Sequence, residues 1–95
     1  VILTGDLNGD HQSDCYKNLA NSNYLFDTFF KTTHPYLPNG SFQGFGPNLN
    51  KDLIIDHIFT SQHFKVKKWG VLTDSYDGKF PSDHFPVLSE LILNN

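Results

Sequence analysis

Three features of the sequence predict an α/β layered domain. Apolar, β-branched runs at residues 1–3, 53–60 and 85–93 read as strands covered on one or both faces. Between the first two runs lies a segment with helical spacing behind a capping residue. Aromatic residues make up 15% of the chain, with 9 Phe among 95 residues, and that many rings need a packed core. Strands joined by helix and loop give layers rather than a bundle or an all-β sandwich.

Val1, Ile2 and Leu3, closed by Gly5, suit a strand covered on both faces. Ser13 or Asp14 caps a helix that aligns Tyr16, Leu19 and Ala20, and Asn21, Ser22 and Asn23 end it. A second short helical segment carries Leu25, Phe26, Phe29 and Phe30. The stretch "THPYLPNGSFQGFGPNLN" is rich in Pro and Gly, so it is mostly loop, with a brief strand over 41–45. Residues 53–60, "LIIDHIFT", form a central strand. Over 64–72, Phe64 and Val66 alternate with Lys65 and Lys67, which suits a sheet edge or a solvated face. "SYDGKFPS" is a loop with an Asp77-Gly78 turn. The last strand, 85–93, turns Phe85, Val87 and Leu91 one way and Leu88 and Ile92 the other.

Composition narrows the function. The net charge is −3 and all 7 cations are Lys, so a basic nucleic-acid-binding surface is not indicated. Cys15 is alone, which excludes an internal disulfide and a cysteine-based zinc site. No apolar stretch approaches the ~20 residues of a membrane span. The chain has no Met and opens on Val1 within an apolar run. It is therefore expected to be a fragment truncated at its amino end, and the lack of a targeting signal there says nothing.

Three places break the apolar pattern. Asp56 sits in the middle of "LIIDHIFT", where a charge is expensive unless paired and Asp is a poor strand former. Asp83 and His84 precede the last strand, and Asp6 and Asn8 follow the first. Each has a plain explanation: a solvated strand end or loop bond for Asp56, a polar strand cap for Asp83 and His84, turn chemistry for Asp6 and Asn8. Together they supply carboxylates, an imidazole and an amide at or within predicted central strands. Phosphoester hydrolysis needs this mixture: a group to orient water, a divalent ion against phosphate charge, and a donor for charge growing in the transition state.

"TGDLNGDHQSDC" also invites a calcium loop beginning at Asp6, with Asn8 and Asp10 at its third and fifth positions. The sixth position is His11 where the turn needs Gly, and the twelfth is Lys17 where an acid is needed. A strand rather than a helix precedes it. Asp10 and Asp14 read instead as acids that complement the start of the first helix. His11, His34 and His63 read as solvated histidines, and Trp69 and the Phe residues as core.

"VILTGDLN", "IIDHIFTS" and "PSDHFPVLSEL" occur in this order. The chain thereby resembles the carboxy-terminal half of the endonuclease/exonuclease/phosphatase (deoxyribonuclease I-like) superfamily, and "GSFQGFG" resembles a loop of its bacterial-type members. The resemblance covers nearly all of residues 1–95 and about half of a complete domain. It implies the carboxy-terminal half of a four-layer α/β sandwich, with mixed, mainly antiparallel sheets flanked by helices. It also implies an Mg2+- or Mn2+-dependent phosphoester hydrolase: a phosphodiesterase, nuclease or phosphatase acting on nucleic acid, phospholipid or sugar phosphate.

Carried onto this sequence, the resemblance makes Asp6 the group that orients or deprotonates water, and Asn8 the holder of the phosphate or of Asp6. His84 would contact the scissile phosphate, and Asp56 would keep His84 oriented and protonated. Asp83, with Asp6, would help bind the metal ion, or Asp83 would position the site. Two positions depart from the family pattern: Ile54, where Arg or Lys is frequent, and His57, where an aromatic is common. The family's principal metal-binding Glu belongs to the amino-terminal half, which would be this chain's partner. Residues 1–95 alone are thus expected to be inactive, and a non-catalytic remnant or partner-binding half-domain is the alternative.

Overall fold

The computed structural model describes residues 1–46, 50 and 53–94. The loop expected around 33–50 therefore lies partly outside the described residues, at 47–49. Strand β1 (Ile2–Asp6) leads into helix α1 (Asp14–Ala20), strand β2 (Phe26–Asp27) and helix α2 (Thr28–Lys31). Strands β3 (Asp56–Thr60), β4 (Phe64–Val71) and β5 (Val87–Leu93) follow. The result is an α/β arrangement of antiparallel sheets with few helices. One sheet has the order β1-β3-β2 and the other pairs β4 with β5. Pairing within the named strands is antiparallel throughout, and the parallel contact among the described residues is the bridge between Tyr36 and Gly70. No helix among them is long and apolar enough to cross a membrane.

Helix α1 starts where Ser13 Oγ accepts the Tyr16 N–H at 3.3 Å, a side-chain cap on an otherwise unpaired amide. The second helical segment is shorter than expected. Phe26 belongs to β2, because Asp27 caps α2 by accepting the Phe29 N–H at 3.0 Å. In β4 the more covered positions shift from the even-numbered, half-buried Phe64 and Val66 to the buried Trp69 and Val71. A slip in register between Val66 and Lys68 causes the shift, since one extra residue in a strand reverses the facing of all that follow. Ile54, Trp69, Val71 and Phe85 form the core, with Phe29, Leu37, Phe80 and Val87 packed around them. Not every Phe joins it: Phe30 and Phe45 are exposed.

Two strand expectations need correction. β1 is exposed at every residue rather than covered on both faces. It is an edge strand paired with β3 among the described residues, and Ile2 and Leu3 remain 52% and 39% exposed. The expected strand at 53–60 starts only at Asp56. Ile54 and Ile55 are buried ahead of it, so Asp56 stands at the strand's first residue and not in its middle.

The brief strand expected at 41–45 is a single bridge, Phe42 to His84. This segment instead stitches the two sheets together. The Ser41 N–H donates to the Leu53 carbonyl at 3.0 Å, and the Phe85 N–H donates to the Ser41 carbonyl at 2.7 Å. Ser41 Oγ accepts the Ile55 N–H at 2.9 Å and the Asp56 N–H at 3.1 Å. Gly40 has no room for a side chain, because a Cβ would lie 2.4 Å from the carbonyl oxygens of Asn50 and Leu53.

A buried polar cluster packs on the helix side of the three-stranded sheet. The Tyr16 hydroxyl donates to Asp27 Oδ2 at 2.6 Å, and His57 Nε2 donates to the Gly9 carbonyl at 2.8 Å. His11 belongs here too, with its ring against Tyr16, Phe29, Phe30 and His57. The solvated His11 of the sequence reading is therefore wrong, whereas His34 and His63 are exposed as expected. Asp27 is buried, which by itself opposes its charge. The nearby His11 ring, with hydrogen bonds from the Tyr16 hydroxyl and the Phe29 amide, outweighs that burial and holds its pKa below the ordinary carboxylate value. Burial and the Asp27 carboxylate push the Tyr16 hydroxyl well up.

Two stability outcomes are expected. Ser41 is 0% exposed, and Ser41→Ala takes the acceptor from the buried Ile55 amide and the part-buried Asp56 amide, a cost of about 1–3 kcal/mol. Urea denaturation of the protein checks this, and an unchanged midpoint contradicts it. Ile2, Leu3, Leu88, Ile92 and Leu93 are exposed apolar side chains on β1 and β5. Residues 1–95 expressed alone should bind a hydrophobic dye and aggregate, and a cooperatively melting monomer would show that they need no cover.

Candidate functional site

The register of β1 against β3 places Asp6 directly opposite Asp56. Both lie at one end of their strands, where β1 gives way to the Asn8 turn. Asp6 Oδ1 accepts the Asn8 N–H at 2.8 Å, and Asn8 has a φ of 51°. Asn tolerates this left-handed conformation better than most residues. His84 reaches the same end from the segment before β5. Its ring packs edge-on against Phe42 with centroids 5.1 Å apart, and its N–H donates to Ser82 Oγ at 3.1 Å.

His84 Nδ1 donates to Asp56 Oδ2 at 2.8 Å. Its Nε2 faces two other carboxylates, Asp6 Oδ2 at 3.6 Å and Asp83 Oδ1 at 3.9 Å. Asp6, Asp56 and His84 line a cleft of about 450 Å3 together with Thr4, Ile58 and Ser82. Of the five residues singled out by sequence, these three converge in the cleft and Asp83 borders His84. Asn8 is exposed and touches the site through its backbone bond to Asp6.

The Asp56 hydrogen bond raises the His84 pKa. Partial burial opposes it, and the charges of Asp56, Asp6 and Asp83 reinforce it. The charged ring keeps a donor on Nε2 once Nδ1 is engaged.

Sequence reasoning missed the residues that hold this loop. The Gln43 and Gly44 amides donate to the Asp83 carbonyl at 2.9 and 3.0 Å. The Gln43 side chain donates to the Ser82 carbonyl and accepts the Phe45 N–H at 2.6 Å. "GSFQGFG" was the available signal, but nothing in its spacing reveals which loop it touches.

The sequence matches the profile of the Endonuclease/Exonuclease/phosphatase family over residues 1–84. The chain belongs to this family. A mannosyl-6-phosphatase of Bacteroides thetaiotaomicron VPI-5482 is 42% identical, with a TM-score of 0.90 over 97% of this chain and 37% of its own. A second family member from Bacteroides thetaiotaomicron is 41% identical, with a TM-score of 0.92 over 99% of this chain and 38% of its own. A functionally unknown conserved protein of Enterococcus faecalis V583 is 33% identical, with a TM-score of 0.82 over 98% of this chain and 36% of its own. The chain thus spans little more than a third of each structure's length. No curated protein matches the sequence significantly.

An NMR titration of the His84 ring in metal-free buffer should give a midpoint above its ordinary 6.5, and Asp56→Asn should lower it. Because the folded value is the higher one, the pair's stabilising contribution is complete below pH 6.5 and is lost as pH rises through the folded value. A midpoint at or below 6.5 in the unaltered protein would contradict the pairing.

Proposed function

We propose that this chain is part of a divalent-metal-dependent phosphoester hydrolase, and that its substrate is a phosphate monoester of a sugar. The observation that carries the reading is His84, held by Asp56 on one ring nitrogen and facing Asp6 and Asp83 with the other. Asp6 has an oxygen directed at the cleft while the Asn8 amide holds its other one, so it suits the role of accepting a proton from the attacking water. His84 Nε2–H suits donation to a phosphate oxygen as negative charge gathers there. Water gives a proton to Asp6 and forms the new bond to phosphorus, the bond to the sugar oxygen breaks, and that oxygen takes up a proton from solvent so that the sugar leaves as an alcohol. Asp56 keeps His84 oriented and charged.

The donor chemistry fits a hard cation. Asp6, Asp56 and Asp83 surround a single imidazole, and no Lys lines the cleft among the described residues. A phosphate dianion would be repelled unless a cation accompanied it. Carboxylate oxygens are what Mg2+ or Mn2+ takes. Asp6 and Asp83 would hold the ion, which supplies charge neutralisation and a more acidic water.

A polyanion finds little counter-charge on a chain that has no Arg and a net charge of −3, which disfavours nucleic acid. The similarity to a mannosyl-6-phosphatase favours a sugar phosphate. Glu90, the chain's only glutamate, stands on the exposed side of β5 opposite Lys68, so residues 1–95 alone are proposed to lack turnover.

The test is hydrolysis of a hexose 6-phosphate and of a generic phosphodiester by the protein that carries this chain, with Mg2+ or Mn2+ and then with chelator. Release of phosphate from the monoester should prevail and cease on chelation. His84→Ala should lower kcat by roughly 10²–10⁴-fold with circular dichroism unchanged. Near-normal kcat in that variant would remove His84 from the chemistry, and a preference for the diester would overturn the substrate assignment.

A further inference from the structure

Successive side chains of a strand point to opposite faces, so Asp56 and His57 of β3 serve different sides of the sheet. On the His57 side, one ring nitrogen each from His11 and His57 and one Asp27 carboxylate oxygen lie within 4.8 Å of one another. His11 Nε2 is buried and has no hydrogen-bond partner. It stands 3.4 Å from Asp27 Oδ2, whereas a charge-assisted hydrogen bond would close to about 2.7–2.9 Å. Two ligands held about 2.0–2.2 Å from a tetrahedral ion are themselves about 3.3–3.5 Å apart. The spacing of His11 and Asp27 is that of co-ligands with their centre left out. We infer that His11, Asp27 and His57 form a binding site for one divalent transition-metal ion of zinc type, separate from the phosphoester site.

The surroundings are those of a prepared site. Asp27 is fixed by the Tyr16 hydroxyl at 2.6 Å and the Phe29 amide at 3.0 Å, and His57 by its bond to the Gly9 carbonyl. Such outer hydrogen bonds orient metal ligands. Two imidazoles and one carboxylate suit Zn2+ or Co2+ and not Mg2+ or Ca2+, which take oxygen donors. A recess of about 300 Å3, lined by Asp10, Gln12, Phe29, Leu37 and Ile54, opens beside His11, and a tetrahedral ion with three protein ligands takes water as its fourth. The ion pins the loop after β1, which carries Asn8 and His11, to β2 and β3.

The test is a Co2+ titration of the metal-free protein containing this chain, followed by the visible absorption of tetrahedral Co2+. One equivalent should bind with strong absorption, Zn2+ should displace it, and excess Mg2+ should not. His11→Ala should abolish the absorption. Tyr16→Phe, which frees Asp27 from its outer partner, should weaken binding about 10–100-fold. His84→Ala, which disables the phosphoester site, should leave it intact, so loss of hydrolysis and loss of this ion are separate results. No tetrahedral absorption in the unaltered protein overturns the inference, as does absorption that survives His11→Ala at full affinity or disappears with His84→Ala. Should His11→Ala fail to fold, undiminished affinity in Tyr16→Phe overturns it.

Discussion

Ser41 joins the two halves of the site. Its hydroxyl accepts the amides of Ile55 and Asp56, and its carbonyl accepts the amide of Phe85. Asp56 and His84 are therefore each one bond, or one residue, from the same buried serine. The 2.8 Å contact between them thus follows from a backbone arrangement that is set before either side chain is considered. Gly40 permits it by letting the carbonyls of Asn50 and Leu53 come close. Preorganisation of this kind allows a charged imidazole to be held in place without reorganising during a reaction.

The same strand serves two polar sites with opposite demands. On the open side, Asp56 raises the pKa of an imidazole whose second nitrogen faces Asp6 and Asp83. On the covered side, His57 and Asp27 sit among Tyr16, Phe59 and the helices, where every polar atom needs a partner. Tyr16 meets part of that need, and its aromatic body also packs against Phe59. A single alternation in β3, Asp56 then His57, feeds both.

Asp6, Asp56 and His84 were legible because a polar or charged group at or within an apolar run needs a reason, and three such groups of complementary type point to one place. The strands themselves were legible from their apolar runs, but their limits were not. Ile54 and Ile55 look like strand residues because they are buried, yet Ile54 is buried in the core and the Ile55 amide bonds to the Ser41 hydroxyl instead of a strand partner. The apolar start of β1 suggested cover on both faces, which sequence cannot distinguish from cover supplied by other chain. His11 was misread because its partners, Asp27 and His57, are distant in sequence and come together only when β2 pairs with β3. Gln43 has no periodic signal at all, since its role lies in loop-to-loop hydrogen bonds.

The register slip in β4 shows how differently the two sheets tolerate change in chain length. An added residue near Lys67 was absorbed by a bulge, and the core residues Trp69 and Val71 still face inward. The sheet of β1 and β3 has no such slack. Asp6 and Asp56 share a site only because they are cross-strand partners at matching ends, and a one-residue slip would send one of them to the helix side. Over evolutionary time, insertions and deletions should therefore accumulate in β4 and in the turn at Asp77 and Gly78. β1 and β3 should change by substitution alone, which gives the two sheets of one domain different modes of divergence.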